Sequence, residues 1–350
     1  MLSLANKLYP PPPSEASLTQ ANQKQQKLII GFDLLKFIMA IVVVNIHSGI
    51  FEAFKTGTLY DFGCSINKAA VPTFLVISAF LFFSKIRSTD GNGIKELIGF
   101  EKRANILYLF WIIVLTPFVL FNFHKEFLQL PVLDAITQFV KNYFFGYLFG
   151  ASWYLGALIV GMPIIFFLQK ILSARLLWIP TLLLHIYLFN ANTESGLYAW
   201  YTENLRTPML SFPNALVWLT IGFYLSDKRV IYWFQQIKNI WYVCILCIYI
   251  LFSTIMPDYS YLFRLIAVPA LVAWAYHATP LLNSNNCRKL RIYSTHIYCM
   301  HTSVLVVLNH LCVPTTYLRF AIACLICIAA SELIIRIMSN KHFRWLKYSY

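Results

Sequence analysis

The chain has 350 residues, of which 59% are hydrophobic and only 12% are charged, and its mean hydropathy is +0.63. The apolar share exceeds that of ordinary soluble domains and falls in long blocks, so the composition indicates a polytopic membrane protein. The net charge of +14 does not indicate a nucleic-acid partner, because the Lys and Arg residues lie in short segments between apolar blocks, where they determine topology.

The chain begins with a polar segment, residues 1–27, that contains four consecutive prolines and lacks the apolar core of a signal peptide. This composition predicts a disordered cytoplasmic tail. Because Lys24 and Lys27 precede the first apolar block, the positive-inside rule places the N-terminus in the cytoplasm. The rest of the chain divides into a predicted transmembrane domain, 28–338, and a basic cytoplasmic tail, 339–350.

The first predicted span, 28–50, carries Lys36 near one end and His47 near the other. Eleven residues of helix place them about 20° apart around the axis and about 16 Å apart along it, so they share one stripe with Asn45 close by. Two simple roles stay open: Lys36 pairs with Asp33, and His47 extends to the headgroups. A polar stripe facing protein or water is favoured, because ionisable residues inside membranes usually mark functional paths.

Nine further apolar blocks bring the predicted number of spans to ten; they are 67–83, 104–122, 152–168, 176–189, 211–225, 240–256, 261–276, 293–312 and 317–337. The segment 133–149 is too polar for lipid and is predicted to be interfacial or re-entrant on the outer side. With that segment not crossing, most basic residues and both termini are cytoplasmic. The predicted fold is an all-α bundle of about ten transmembrane helices plus this segment.

Two cysteine pairs, Cys244 with Cys247 and Cys324 with Cys327, have a spacing found in zinc and redox sites. Each pair falls within a predicted span, where cysteine is most simply a small apolar residue, and no further Cys or His stands at ligand spacing. We therefore predict neither a metal site nor a disulfide framework.

Four stretches occur in a recognisable order: the basic residue and histidine of 36–47, VPTFLVISAFLF from Val71, SWYLGALIV from Ser152, and STHIYCMHTSVL from Ser294. Together they resemble the motifs of the membrane-bound acyltransferase type 3 family, whose members O-acetylate bacterial surface polysaccharides and related acceptors. The resemblance covers 29–337. The family usually has Arg where Lys36 stands and commonly has Gly where Ala79 stands.

The resemblance implies transfer of an acyl group, usually acetyl, from cytoplasmic acyl-CoA to a hydroxyl of a cell-surface or lipid-linked glycan in a bacterial inner membrane. Acetyl-CoA is then a co-substrate, and no permanently bound cofactor is expected. His47 is the candidate general base or acyl acceptor. Candidates for binding the donor are Lys36, Lys102 and Arg103. Candidates for orienting a substrate are His301, Tyr298, Asn45 and Trp153.

Simpler readings of these residues stay open, since Lys102 and Arg103 serve equally as topology determinants and His301 equally as a core histidine bonded to Tyr298 or a carbonyl. A transporter or flippase of a lipid-linked glycan is the alternative function, because ten helices with a polar stripe fit alternating access. Such transporters commonly have broken helices at corresponding positions in two related halves of the chain. This sequence has no clear internal repeat, which speaks against that function.

Overall fold

The computed structural model describes residues 15–54, 57–89, 91–277, 284–313 and 316–350, and every regular element in these ranges is helical. The α-helices are α1 (Glu15–Ser48), α2 (Thr58–Ser88), α3 (Ile94–Val114), α4 (Thr116–Leu128), α5 (Val132–Phe145), α6 (Trp153–Ile171), α7 (Ala174–Asn190), α8 (Gly196–Asn204), α9 (Phe212–Leu225), α10 (Lys228–Gln236), α11 (Asn239–Ile255), α12 (Ser260–His277), α13 (Ser284–His310) and α14 (Thr316–Met338). Short 3₁₀ helices are Phe51–Phe54, Pro208–Leu210, Pro257–Tyr259 and Lys341–Ser349.

Among the described residues, five helical stretches are long and apolar enough to cross a membrane: Ile30–Ser48, Thr58–Ser88, Trp153–Ile171, Pro257–His277 and Thr316–Met338. The pair α10 and α11, bent by 95°, makes a sixth if it forms one span. Helices α7 and α9 are apolar but shorter. These stretches support a multi-pass membrane protein, while the ten crossings and the cytoplasmic termini stay predictions.

Helix α9 lies inside the bundle and is buried along most of its length, as expected for a helix that is apolar on every side. It packs closely on α2 because Gly222 has no side chain. A Cβ at Gly222 would lie 2.5 Å from both the Ala79 Cβ and the Val76 carbonyl oxygen. Small residues at this crossing therefore set the distance between the two helices.

The prediction of one continuous helix over 104–122 is wrong, because two helices cover this range. Helix α3 ends at Val114, Leu115 has the non-helical angles φ −97° and ψ 13°, and α4 starts at Thr116. The cause is Pro117, whose ring would clash with the carbonyl four residues earlier and which has no N–H to donate. The helix is therefore interrupted where the sequence pattern predicts a continuous span.

The predicted interfacial or re-entrant segment, 133–149, contains α5 and a turn that leads to α6. The helix exposes an apolar face, made of Val132, Leu133, Ile136 and Val140. Its opposite face packs on the bundle, where Asn142 is fully buried and accepts a 2.5 Å hydrogen bond from Nε of Arg206. The polar residues that make the segment unsuited to lipid are thus in part directed toward protein.

The segments predicted as tails at the two ends of the chain contain ordered structure among the described residues. Helix α1 begins at Glu15, so 15–27 extends the first helix, whereas 1–14 of the predicted disordered tail lies outside the described residues. Residues 15–27 contain many good helix formers, and lengthening an existing helix needs no new nucleus. The C-terminal segment 341–350 packs against α3 and α14, with Ser349 fully buried.

Candidate functional site

Helices α1 and α13 make the most extensive helix contact in the protein and run in the same direction. Lys36 of α1 and Ser294 of α13 line the same cavity, and His47 and His301 lie together farther along the two helices. The regular rise of a helix separates Lys36 from His47 by about 16 Å along the axis. This helix pair thus connects a cavity at one level of the bundle with a histidine pair at another.

The first feature of the site is a cavity of about 500 Å³, here called the basic cavity. Four basic side chains from different helices line it: Lys36, Lys85, Arg103 and Arg291. Glu96 is the acidic residue in its wall, and the remaining lining combines apolar side chains with a few hydroxyl groups. A cavity with this many cations is suited to a ligand that carries several negative charges.

One of the four cations is already paired. Arg291 donates from Nε and Nη2 to the two carboxylate oxygens of Asp33, at 3.0 and 2.9 Å, and Asp33 is only 4% exposed. Within the described part of the chain no carboxylate forms an ion pair with Lys36. The simple expectation that Asp33 pairs with Lys36 is therefore wrong, because a bidentate Arg partner from α13 satisfies both carboxylate oxygens.

Two buried tyrosines stand between the basic cavity and the histidines. Tyr154 and Tyr298 both line the cavity, and their rings are 5.3 Å apart. The Tyr298 hydroxyl donates to the carbonyl of Ala151 at 2.8 Å, and the Tyr154 hydroxyl shares a 2.8 Å hydrogen bond with Ser78. The Tyr298 ring lies 6.3 Å from that of His301, so the tyrosines connect the cavity to the next feature.

The histidine pair consists of His47 and His301, whose ring centroids are 5.0 Å apart. His301 is fully buried, whereas His47 is exposed. The Nδ1 atom of His301 lies 2.9 Å from the carbonyl oxygen of Ile297, and a carbonyl can only accept, so Nδ1 carries the proton. Its Nε2 atom is then an acceptor, and it is buried without a hydrogen bond to any described residue.

His301 therefore combines both of the roles that the sequence left open. One ring nitrogen is satisfied by a neighbouring carbonyl, as in a core histidine, and the other is a buried acceptor beside His47. Because buried polar atoms are nearly always hydrogen-bonded in folded proteins, this nitrogen is available to a partner that the described residues do not supply, as are ring nitrogens of His185 and His296. Of the two imidazoles, that of His47 is accessible and that of His301 is buried.

A second cavity, of about 450 Å³, is lined by the two residues that follow His301 in α13 and is here called the aromatic pocket. Aromatic and polar side chains from several elements line it: Phe118, Phe123, Tyr147, Phe149, Arg206, Thr302 and Ser303. Gly150 lies in its wall with φ +33°, and a Cβ there would overlap the side chain of Thr302. Glycine is thus needed where the turn before α6 approaches α13.

The remaining predicted site residues fall in different places. Asn45 donates to Asn67 Oδ1 at 2.7 Å and lines a separate pocket of about 200 Å³. Lys102 and Arg103 are both exposed, but only Arg103 lines the basic cavity. Trp153 packs partly buried against the core and lines neither the basic cavity nor the aromatic pocket. The assignments of Lys102 and Trp153 as site residues are therefore not supported by their positions.

Several residues at the basic cavity were missed from the sequence: Lys85, Glu96, Arg291, Ser78 and Tyr154. Lys85 and Arg291 lie near the ends of predicted spans, where a basic residue is explained by topology alone, so the sequence gives no signal that they line a cavity. Tyr154 follows Trp153 within the same motif, and the pattern does not show which aromatic residue faces the cavity. Among the described residues, no group of three or more potential metal ligands occurs.

Comparisons with known proteins identify the family of this chain. A family model described as an acyltransferase domain matches residues 29–336. An amino-acid racemase of Enterococcus faecalis is 26% identical over 212 residues, which are 57% of this chain and 28% of the racemase. The chain thus spans less than a third of the length of that relative, and no solved structure matches it. Because the family model covers nearly all of the chain after its first residues, the protein belongs to the type 3 acyltransferase family.

Proposed function

We propose that this protein transfers an acyl group, in the first instance acetyl, from coenzyme A to a hydroxyl group of a glycan. The observation that carries the proposal is the series of side-chain contacts that leads from the basic cavity through Tyr154 and Tyr298 to the histidine pair. Together with the family, this series supports a donor that binds at the cations and reacts at the histidines.

The donor matches the basic cavity in charge. Coenzyme A carries several phosphates on its nucleotide end and a long, narrow arm that ends in the thioester. Lys36, Lys85 and Arg103 would hold the phosphates, because charge-assisted hydrogen bonds to phosphate are among the strongest polar contacts. The arm would then extend past the tyrosines toward His47, over a distance comparable to the helix length that separates His47 from Lys36.

The chemistry needs a base, since an alcohol is a weak nucleophile at neutral pH. His47 takes the proton of the acceptor hydroxyl as its oxygen attacks the thioester carbonyl carbon; the new C–O bond forms, the C–S bond breaks, and the proton passes to the sulfur of coenzyme A. In the two-step variant the imidazole of His47 accepts the acyl group first and then passes it to the hydroxyl. The products are the same ester and free thiol.

His301 has a positioning role in this proposal. The Nε2 atom of His301 is an acceptor, because Nδ1 donates to the Ile297 carbonyl. The centroids of the His47 and His301 rings are 5.0 Å apart. An acceptor there can bind the N–H of His47 and so leave the other nitrogen of His47 unprotonated, which is the form that acts as base or nucleophile.

The acceptor fits the aromatic pocket. Aromatic rings provide flat apolar surfaces for the faces of sugar rings, and Arg206, Thr302 and Ser303 provide polar contacts for hydroxyl groups. Thr302 and Ser303 directly follow His301, so a sugar in this pocket would lie close to the histidine pair. Donor and acceptor would thus approach the histidines from different cavities.

The charge distribution supports the inner membrane of a bacterium as the location, with the basic cavity open to the cytoplasm. Lys85 and Arg103 belong to a strongly basic segment between two apolar helices, which the positive-inside rule assigns to the cytoplasmic side. Acyl-CoA is a cytoplasmic metabolite, whereas a cell-surface glycan is reached from the other side. The protein would therefore transfer an acyl group between the two faces of the membrane.

The other candidate functions have less support. The racemase match covers only 28% of that protein, so the reaction in its name need not belong to the shared part. A glycan flippase explains a polar path through the bundle, but it explains neither the four cations of the basic cavity nor the family. The two functions differ in a simple way, because a flippase does not consume an acyl-CoA.

The experiment uses the full-length protein in detergent, radiolabelled acetyl-CoA and an extract of lipid-linked glycans. We expect slow hydrolysis of acetyl-CoA without the extract and formation of a labelled glycan with it. Lys36→Ala should weaken use of the donor, whereas Lys36→Arg should retain it, because Arg keeps the charge and adds donors. Consumption of no acetyl-CoA by the folded protein would contradict the proposal and favour the flippase. Mass spectra of envelope glycans, with and without the gene, identify the acceptor.

A further inference from the structure

The C-terminal segment 341–350 is held between α3 and α13 by two buried polar contacts. The indole N–H of Trp111 donates to the carbonyl oxygen of Ser349 at 3.0 Å, and the hydroxyl of Ser349 is 2.8 Å from Nε2 of His296. All three residues are almost completely buried, with exposures of 1% or less. Such contacts are costly to leave unmade, so they fix the backbone at Ser349.

These contacts fix the position of the next residue, Tyr350, in the wall of the basic cavity. Arg103 and Leu107 of α3 and Thr295 and Cys299 of α13 line the cavity on the same two helices that hold Ser349. The segment is thus attached to both helices, α3 and α13, and contributes Tyr350 to the wall of the cavity. The segment makes a further contact with α3, because the ring centroids of Phe110 and Trp345 are 5.7 Å apart.

We propose that the C-terminal segment is part of the donor site: Trp111, Ser349 and His296 are positioning residues, and Tyr350 is a specificity-determining residue that contacts the bound coenzyme A thioester. The inference rests on the proposed function, since it takes coenzyme A as the ligand of the basic cavity. It adds a binding role for a segment whose composition alone predicts only a basic tail.

The ring of Tyr350 differs in kind from the charged groups of the cavity. The basic residues of the segment, Lys341, Arg344 and Lys347, are exposed and do not line the cavity, which already contains four cations. An aromatic ring at Tyr350 gives the ligand a surface that charge alone cannot give. Tight binding sites commonly combine a few fixed polar groups with apolar surface in this way.

The test measures donor binding and donor kinetics separately in the full-length protein. Coenzyme A is titrated calorimetrically into wild type, Tyr350→Ala, Tyr350→Phe and Trp111→Phe, and KM for acetyl-CoA is measured for the same proteins. Tyr348→Ala is the matched control, because Tyr348 lies two residues away on the same segment, is 43% exposed and does not line the cavity.

We expect Tyr350→Ala and Trp111→Phe each to raise the Kd for coenzyme A and the KM for acetyl-CoA about tenfold, with kcat changed less than threefold, because binding alone is lost. Tyr350→Phe and Tyr348→Ala should stay within twofold of wild type. Equal Kd values for wild type and Tyr350→Ala would overturn the inference. A wild type that binds no coenzyme A would overturn the proposed donor as well, so the two failures are distinct.

Discussion

The imidazole rings of His47 and His301 lie 5.0 Å apart on two helices that run in the same direction, one exposed and the other completely buried. The buried ring donates from Nδ1 to the Ile297 carbonyl, which leaves its Nε2 as an acceptor beside His47. The arrangement is asymmetric: one histidine is accessible for chemistry, and the other is fixed by its own helix. The two residues should therefore contribute differently when each is changed.

His301→Ala should lower kcat by less than His47→Ala does, because it removes the orientation of the base but not the base itself. His310→Ala is the matched control on the same helix, since His310 is exposed near the end of α13 and should have little effect. The measurement is kcat and KM for labelled acetyl-CoA in purified, folded variants. A larger loss of kcat for His301→Ala than for His47→Ala would reverse the two assignments.

Arg103 and Lys102 provide a comparison of neighbouring cations at the start of a span. Arg103→Ala should raise KM for acetyl-CoA several-fold, because this guanidinium lines the basic cavity, whereas Lys102→Ala should leave KM unchanged because Lys102 does not line it. Both substitutions remove one positive charge from neighbouring positions of α3, so a general effect on topology would be equal for the two. Equal KM values for the two variants would argue against phosphate binding by Arg103.

The Asp33–Arg291 pair should contribute to stability. Arg291→Gln removes two charge-assisted hydrogen bonds from a carboxylate that is 4% exposed, and we expect a loss of about 1.5–3 kcal/mol in the free energy of unfolding. Lys289→Gln is the control, because the Lys289–Glu332 pair is 3.4 Å apart and more exposed, and such pairs contribute about 0–1 kcal/mol. Chemical denaturation in detergent measures both.

The double variant Asp33→Asn with Arg291→Gln tests the cause of that loss. Without the buried carboxylate, the missing guanidinium no longer strands a charge, so the double variant should be more stable than Arg291→Gln alone. Additive losses would show instead that the two residues stabilise the protein independently of each other.

The predicted topology has its own test. Both termini should be cytoplasmic, because the basic clusters between the apolar segments alternate with loops that carry few cations. Reporter fusions at Tyr350 and at Gly91 should both give a cytoplasmic signal. An external signal from either position would place the basic cavity on the wrong side for a cytoplasmic donor.

Local periodicity was enough to relate Lys36 to His47, since both lie on one uninterrupted helix whose turn and rise are fixed. It could not identify the partner of Asp33, because the ion pair joins residues from α1 and α13 that only the tertiary structure brings together. The nearest basic residue in sequence was the natural expectation. The same limit explains why His301 could not be related to His47 from spacing.

For other features that the sequence analysis missed, the sequence does contain an indication. Pro117 lies in the middle of the predicted span 104–122, and a proline there predicts the break that occurs at Leu115. The aromatic residues of the C-terminal segment, such as Trp345 and Tyr350, are unusual for a solvated basic tail and could have indicated packing. The role of Arg291 in the cavity wall could not be inferred, because the positive-inside rule already explains a basic residue at the end of a span.

The most direct measurement is acyl transfer by purified His47→Ala and His47→Gln, with acetyl-CoA and an extract of lipid-linked glycans as substrates. A residue that only extends to the headgroups can be replaced by another polar group, whereas a base or acyl acceptor cannot. We expect both variants to fold and to bind coenzyme A as wild type does, and to lose transfer by about 10² or more, the lower range for loss of general acid–base assistance. Transfer by folded His47→Ala within a few-fold of wild type would contradict the central role given to His47.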